Sequence, residues 1–177
     1  WYIPSVCNVL IHIAGVALGY TELSWFFFSI GMLFWVILMT IIFYRILFHH
    51  PIDQKLLPTF FILIAPPAVG FIAYMRLVGD LDTFARMLYY SGLFLTLFIL
   101  VQAPRFIKLE FFLSWWAYSF PLAAISIASM TMYEFTQIII FQWLGTGILV
   151  LLTAIIVLLI SKTIKAVVNR KICTPEH

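Results

Sequence analysis

The chain has 177 residues, of which 64% are hydrophobic and 10% charged, and its mean hydropathy is +1.11. Soluble domains carry about 25% charged residues, so this composition excludes a soluble globular protein and predicts an integral membrane protein. The net charge of +3 does not indicate nucleic-acid binding, because the basic residues flank apolar stretches and form no continuous basic surface. Cys7 and Cys173 have no spacing that predicts a disulfide or a metal site.

Apolar stretches of about 20 residues, the length that crosses a bilayer, recur along the whole chain. We predict an all-α integral membrane protein with one transmembrane domain over residues 1–177. Its six helices form three hairpins at about 3–48, 59–102 and 107–161, and a basic cytoplasmic tail follows at 162–177. Because the chain begins with Trp1 and is apolar from the start, we expect a piece of a longer protein without a signal peptide.

The first predicted helix runs from about residue 3 to residue 19 and has Pro4 near its start. Asn8 and His12 are four residues apart, so their side chains share one face. They either make an interhelical hydrogen bond or line a hydrated path, where His12 is able to relay a proton. The second helix, at about 23–48, is rich in Trp and Phe, which suits lipid contact.

The third predicted helix, at about 59–78, is interrupted by Pro66 and Pro67, and the fourth runs over about 83–102. His49, His50 and Asp53, in the link before the third helix, do not predict a metal site. Adjacent histidines diverge on a helix, and the sequence has no second His cluster near them.

The fifth predicted helix, at about 107–132, contains Pro121 inside an apolar run, so it must bend. The bend places Phe120 closest to any central axis, where a hydrophobic side chain can close a pore by excluding water. Ser119 and Ser126 belong to a second face about 100° from Phe120, and either face is able to line a pore. The sixth helix covers about 138–161. In each hairpin, the first helix carries proline and small residues and the second is bulkier.

The loop charges predict the orientation. One side of the membrane holds eight of the ten basic residues and the other side holds Arg76 and Arg86, so the basic side is predicted to be cytoplasmic. Both ends of this piece then face the cytoplasm. The eight residues are Arg45, Lys55, Arg105, Lys108, Lys162, Lys165, Arg170 and Lys171.

Three motifs carry a resemblance to a known family: Trp115-Trp116-Ala117-Tyr118-Ser119-Phe120-Pro121, Ala65-Pro66-Pro67-Ala68-Val69-Gly70 and Tyr2-Ile3-Pro4-Ser5-Val6. Over essentially its whole length, the chain resembles the tellurite-resistance/dicarboxylate transporter family. That family includes guard-cell slow anion channels, TehA-type bacterial channels, malate permeases and sulfite exporters. The resemblance implies that the six helices match the last three of five hairpins in a ten-helix, quasi-five-fold bundle. In that bundle, proline-kinked inner helices surround a central pore and bulkier helices lie outside.

The same resemblance implies a homotrimer with one pore in each protomer, and it matches Phe120 to the phenylalanine that gates the family's pore. The resemblance also implies a pore that acts through weak positive potential, and no charged residue here matches a fixed anion site. Because the first two hairpins are missing, the implied function belongs to the parent chain.

The leading interpretation is an anion channel or facilitator in the plasma or inner membrane, with chloride, nitrate or organic acids as its cargo. It is not an enzyme, and it needs no cofactor and no metal. The alternative within transport is a proton-coupled C4-dicarboxylate or malate transporter, with His12 as the proton site; sulfite or tellurite-related transport belongs to the same alternative. Two interpretations from other classes are a membrane-embedded enzyme using His12, His49 and His50, and a structural membrane subunit.

Overall fold

A computed structural model describes Gly15 and residues 18–48, 54–102 and 111–168, and every regular element in these ranges is helical. The five α-helices are α1 (Thr21–Phe48), α2 (Ala65–Val78), α3 (Thr83–Val101), α4 (Ser119–Thr136) and α5 (Ile139–Val168). The 3₁₀ segment Gln54–Ile64 leads directly into α2, and the 3₁₀ segment Leu113–Tyr118 leads directly into α4. The first predicted helix, with Pro4, Asn8 and His12, lies outside the described residues, as do His49, His50 and Asp53.

Four helical segments in the described ranges are long and apolar enough to cross a membrane: Thr21–Phe48, Phe60–Val78, Thr83–Val101 and Ile139–Val168. The remaining helix, α4, has 18 residues, but its serines, threonines and Glu134 make it more polar. The predicted all-α architecture is therefore confirmed for the described part of the chain. The count of six spans and their arrangement as three hairpins stay predictions.

The prolines change the type of helix and do not end it. Pro66 and Pro67 are the second and third residues of α2, and Pro121 is the third residue of α4. The first turn of an α-helix has no intrahelical use for its N–H groups, so a proline costs little there. At Pro66, Pro67 and Pro121, a 3₁₀ segment becomes an α-helix one or two residues before the proline. The kinks themselves stay predictions, and Pro4 lies outside the described residues.

The core lies where α2, α3 and α4 pack together, and α5 packs along α4. Buried side chains from these helices include Phe71, Leu88, Leu122, Ile125 and Met132. By contrast, α1 has only Ser24, Phe28 and Gly31 buried, because it packs on α2 along one narrow strip. The proline-bearing helices α2 and α4 are thus inside the described bundle, and the bulky helices α1 and α5 are largely exposed.

Two tight turns connect the helices. Gly79, with φ of 76°, closes α2 by donating its backbone N–H to Met75 O at 2.9 Å, and Asp82 caps the start of α3. Gln137 also has a left-handed conformation, with φ of 55°, and donates to Tyr133 O at the end of α4. Helix α5 then continues past its predicted end at Ser161 to Val168, so the first part of the predicted basic tail is helical.

Candidate functional site: the uncovered face of a proline-bearing helix

Phe120 is the second residue of α4, and its side chain is 44% exposed although the neighbouring Pro121 is buried. The exposed side of α4 continues with Ala123, Ile127 and Thr131, at intervals of three or four residues. We call these four residues the uncovered face. Phe120 and Ile127 are exposed, whereas Ala123 and Thr131 are partly exposed and Ala123 also packs against the core. The only polar side chain of this face is that of Thr131, whose hydroxyl donates to Ile127 O.

The opposite side of α4 is anchored in the core. Ser126 is buried, and its Oγ donates to Gly145 O of α5 at 2.9 Å. Ser129 is also buried and donates to Ile125 O one turn earlier, at 2.8 Å. Of the second face predicted from the sequence, Ser126 is inside the described bundle, whereas Ser119 is only partly buried, beside the exposed Phe120. The role of Ser126 as a pore-lining residue stays a prediction.

A buried tyrosine of α3 contacts α2, α4 and α5. Tyr89 OH lies 3.1 Å from Ser129 Oγ of α4. Its ring contacts Phe71 of α2 and Phe141 of α5, each with the centroids 5.5 Å apart. Because Ser129, Phe71 and Phe141 lie on three other helices, Tyr89 fixes the position of α4 from behind the uncovered face.

The segment that leads to Phe120 is held by side chains as well as by backbone. Ser119 Oγ donates to Trp116 O at 2.8 Å, so the predicted pore-lining hydroxyl of Ser119 has a local partner. The Trp116 indole Nε1 donates to Thr163 Oγ1 near the end of α5, at 3.1 Å. Tyr118 packs against Phe61 of the first 3₁₀ segment, with ring centroids 4.5 Å apart. These contacts fix the turn immediately before Phe120.

At the other end of α2, Tyr74 OH donates to Asp82 Oδ2 at 2.5 Å, and Asp82 Oδ1 accepts the backbone N–H of Ala85. The bond from Ala85 N, and next the bond from Tyr74 OH, stabilise the ionised carboxylate and lower the pKa of Asp82 below its ordinary value of 3.8. This contact closes the turn between α2 and α3.

Of the predicted site residues, the structure places Pro66, Pro67 and Pro121 in buried first turns and Phe120 on the uncovered face. Prediction from sequence missed Tyr89, Tyr74 with Asp82, and Trp116 with Thr163. The only sequence signal for Asp82 was its position before an apolar run, which is typical of an N-cap. No motif marks Tyr89 rather than Tyr90, because α3 is largely apolar after Arg86.

The described residues contain no group of three or more His, Cys, Asp or Glu side chains that could hold a metal ion. The fold and this face define a class of protein: a helical integral membrane protein whose proline-bearing helices pack together and present an apolar, uncharged surface. The family described as SLAC1, voltage-dependent anion channel, matches residues 1–164. The chain belongs to this family, and the predicted relationship to TehA-type proteins is confirmed.

Several relatives are similar to the chain over most of its length. The S-type anion channel SLAH2 of Arabidopsis thaliana is 30% identical over 73% of this chain and 25% of its own length. SLAH1 of the same plant is 26% identical over 89% of this chain and 40% of its own. The tellurite resistance protein TehA homolog of Haemophilus influenzae is 28% identical over 86% of this chain and 49% of its own. The chain thus spans from a quarter to about half the length of these relatives.

Proposed function

We propose that the protein to which this chain belongs is an anion channel or facilitator, occluded by the side chain of Phe120. Its cargo is small anions such as chloride and nitrate, and organic acids. One observation carries the proposal: in a chain of the anion-channel family, a large apolar side chain lies on the uncovered face of a proline-bearing helix, directly before the proline.

The chemistry of the uncovered face supports weak, non-catalytic passage of ions. A hydrophobic ring at a constriction excludes water, and an anion cannot pass without at least part of its hydration shell. The face carries no fixed positive charge from Phe120 to Thr131, so it does not hold an anion tightly. Conduction requires binding that is weak enough for release. Movement of one ring is then sufficient to switch the path on or off.

In this proposal, the six predicted helices are the last three of five hairpins in a ten-helix, quasi-five-fold bundle. Three protomers form a homotrimer in the plasma or inner membrane, and both ends of this piece face the cytoplasm. The burial of α2 and α4 and the exposure of α1 and α5 support inner and outer positions for these helices. The basic residues near the end of α5 support the orientation.

The test is anion efflux from proteoliposomes that contain the full-length protein, either wild type or with Phe120→Ala. We expect the smaller side chain to raise chloride and nitrate efflux at least tenfold. Phe98→Ala is the matched control, since Phe98 lies on α3, is 42% exposed and loses the same atoms. Equal efflux from the Phe120→Ala protein and the wild type would contradict the gate.

A second candidate is proton-coupled uptake of C4-dicarboxylates or malate, with His12 as the proton site. The sequence favours it through Asn8 and His12, two polar residues on one face of a predicted inner helix. Coupling requires that malate flux respond to a pH gradient and that His12→Ala abolish this response. Malate flux that does not respond to the pH gradient would reject proton coupling, and the channel would remain the proposed function.

A further inference from the structure

Helix α5 is longer than a bilayer requires. Its 30 residues extend about 45 Å at 1.5 Å per residue, whereas the hydrocarbon core is about 30 Å thick. The helix is predominantly apolar up to Ile160, and its first charged residue is Lys162. The turns from Ser161 to Val168 therefore extend into the lipid headgroup region on the side that the loop charges predict to be cytoplasmic.

Two cations on these turns have no acidic partner among the described residues. Lys162 and Lys165 are exposed and three residues apart, so their side chains lie on the same side of α5. Helix α5 contains no Asp or Glu, and neither lysine makes an ion pair with a carboxylate in the described residues. At this depth, lipid phosphates are within reach of both lysines. We call Lys162 and Lys165 the basic turn.

The opposite side of the same turn is attached to the segment before Phe120. Thr163 lies about 160° around the helix from Lys165, and its Oγ1 accepts the hydrogen bond from Trp116 Nε1. Trp116 O in turn accepts the Ser119 hydroxyl, and Ser119 directly precedes Phe120. Lys162 of the basic turn is thus connected to Phe120 through two hydrogen bonds and the two peptide bonds Lys162–Thr163 and Ser119–Phe120.

We propose that an anionic phospholipid headgroup binds the basic turn and, through the Thr163–Trp116 hydrogen bond, sets the position of the segment that carries Phe120. The headgroup holds the end of α5 at the membrane surface, and Trp116 is fixed to that end. A lipid shifts the gate only as far as its affinity differs between the two positions of this segment. The effect on transport rests on the proposed function, whereas lipid binding and movement of the segment do not.

Binding is tested on the full-length protein by native mass spectrometry after titration with phosphatidylglycerol or phosphatidylcholine. A lysine near an anionic surface contributes about fivefold to affinity, so K162Q with K165Q should weaken phosphatidylglycerol binding by about 30-fold. Glycerol 3-phosphate, which has the phosphate without acyl chains, should not compete at equal concentration. Unchanged phosphatidylglycerol binding by the double variant, or full competition by glycerol 3-phosphate, would overturn the lipid site.

Coupling to the gate is tested without any transport measurement. In a cysteine-free background, F120C is labelled with a water-soluble maleimide in nanodiscs of phosphatidylcholine, with and without phosphatidylglycerol. We expect phosphatidylglycerol to change the labelling rate severalfold and Thr163→Val to abolish that change without loss of lipid binding. Thr153→Val is the matched control, because the Thr153 hydroxyl donates only to Leu149 O in its own helix.

Failure of the lipid-linked coupling and failure of the proposed function give different results. A labelling rate that responds to phosphatidylglycerol equally in wild-type, Thr163→Val and Thr153→Val backgrounds would overturn the coupling. If the labelling and binding results are as expected but no anion flux is found for any variant, the proposed function fails and the lipid-linked movement of this segment remains.

Discussion

Gly145 lies where α4 and α5 pack too closely for a side chain. A Cβ atom at this position would be 3.1 Å from Met130 Sδ and 3.2 Å from Ser126 O. The backbone oxygen cannot move without disturbing α4, so Gly145→Ala should lower the free energy of unfolding by about 1–3 kcal/mol. A Cβ atom at Gly147 would have no neighbour within 4 Å, so Gly147→Ala should be neutral or slightly stabilising.

The stability of these two glycine variants is measured by thermal unfolding of the full-length protein in detergent. Close packing predicts a lower midpoint for Gly145→Ala and an unchanged or higher midpoint for Gly147→Ala. Equal midpoints for the two variants would mean that α4 and α5 are not in close contact in the complete protein.

The buried hydroxyl of Tyr89 also contributes to stability at the level of a single residue. Tyr89→Phe removes the 3.1 Å contact with Ser129 but keeps the ring in the core. We therefore expect the free energy of unfolding to fall by about 1 kcal/mol. Ser129 retains its bond to Ile125 O. Tyr90→Phe is the control, since Tyr90 is exposed, and its midpoint in the same thermal assay should not move. A Tyr89→Phe midpoint equal to that of wild type would show that the buried hydroxyl pair contributes nothing.

Among elements, the turn between α2 and α3 depends on an ionised carboxylate. Asp82 has a pKa below its ordinary value, so it stabilises the fold most above pH 3.8, and this contribution disappears as the pH falls through the lowered pKa. Asp82→Asn keeps a capping side chain but loses the charge that Tyr74 binds. We expect a lower thermal midpoint for the variant at pH 7 and convergence with wild type below pH 3.8.

Asp80→Asn is the control for this turn. Asp80 is exposed, and its Oδ1 accepts only from the adjacent backbone N–H of Leu81, so its variant should match wild type throughout. A difference between Asp82→Asn and wild type that stays constant down to the lowest pH would contradict an origin in the ionised carboxylate.

The elements also show what a sequence can predict and why the rest escapes it. The long helices α1, α3 and α5 follow from apolar length and from turn residues such as Gly79 and Asp82. The prolines predicted irregular points in α2 and α4, next to which the structure has 3₁₀ segments; the bends themselves stay predictions. The form of these irregular points, a 3₁₀ segment joined to an α-helix, depends on packing such as the contact of Tyr118 with Phe61, which no local pattern encodes.

The buried side of a membrane helix is harder to predict than its length. In α4, apolar residues occupy both the core side and the uncovered face, so hydrophobicity does not separate Phe120 from Leu122. The serines indicate the buried side better, because a hydroxyl inside a membrane needs a hydrogen-bond partner. Ser126 and Ser129 are both buried and both donate to backbone carbonyl oxygens. Contacts between distant segments, such as Trp116 with Thr163, leave no trace in spacing.

At the scale of the whole molecule, the loop charges predict that Asp80 and Lys165 lie on opposite sides of the membrane. Asp80 is in the turn before α3, and Lys165 is in the last turn of α5. In a cysteine-free background, Asp80→Cys should react with an impermeant maleimide from outside intact cells, and Lys165→Cys only after permeabilisation. Labelling of both from the same side would contradict the predicted orientation and the alternation of spans on which it depends.

The central claim is that the side chain of Phe120 closes an anion path. The most direct measurement is chloride efflux from proteoliposomes of the full-length protein with Leu, Val and Ala at position 120, beside Phe98→Ala. We expect efflux to rise in the order Phe, Leu, Val, Ala, because each step removes volume from the constriction, and to stay at the wild-type rate in Phe98→Ala. Equal rates across the Phe120 series, or an equal rise in Phe98→Ala, would contradict the gate.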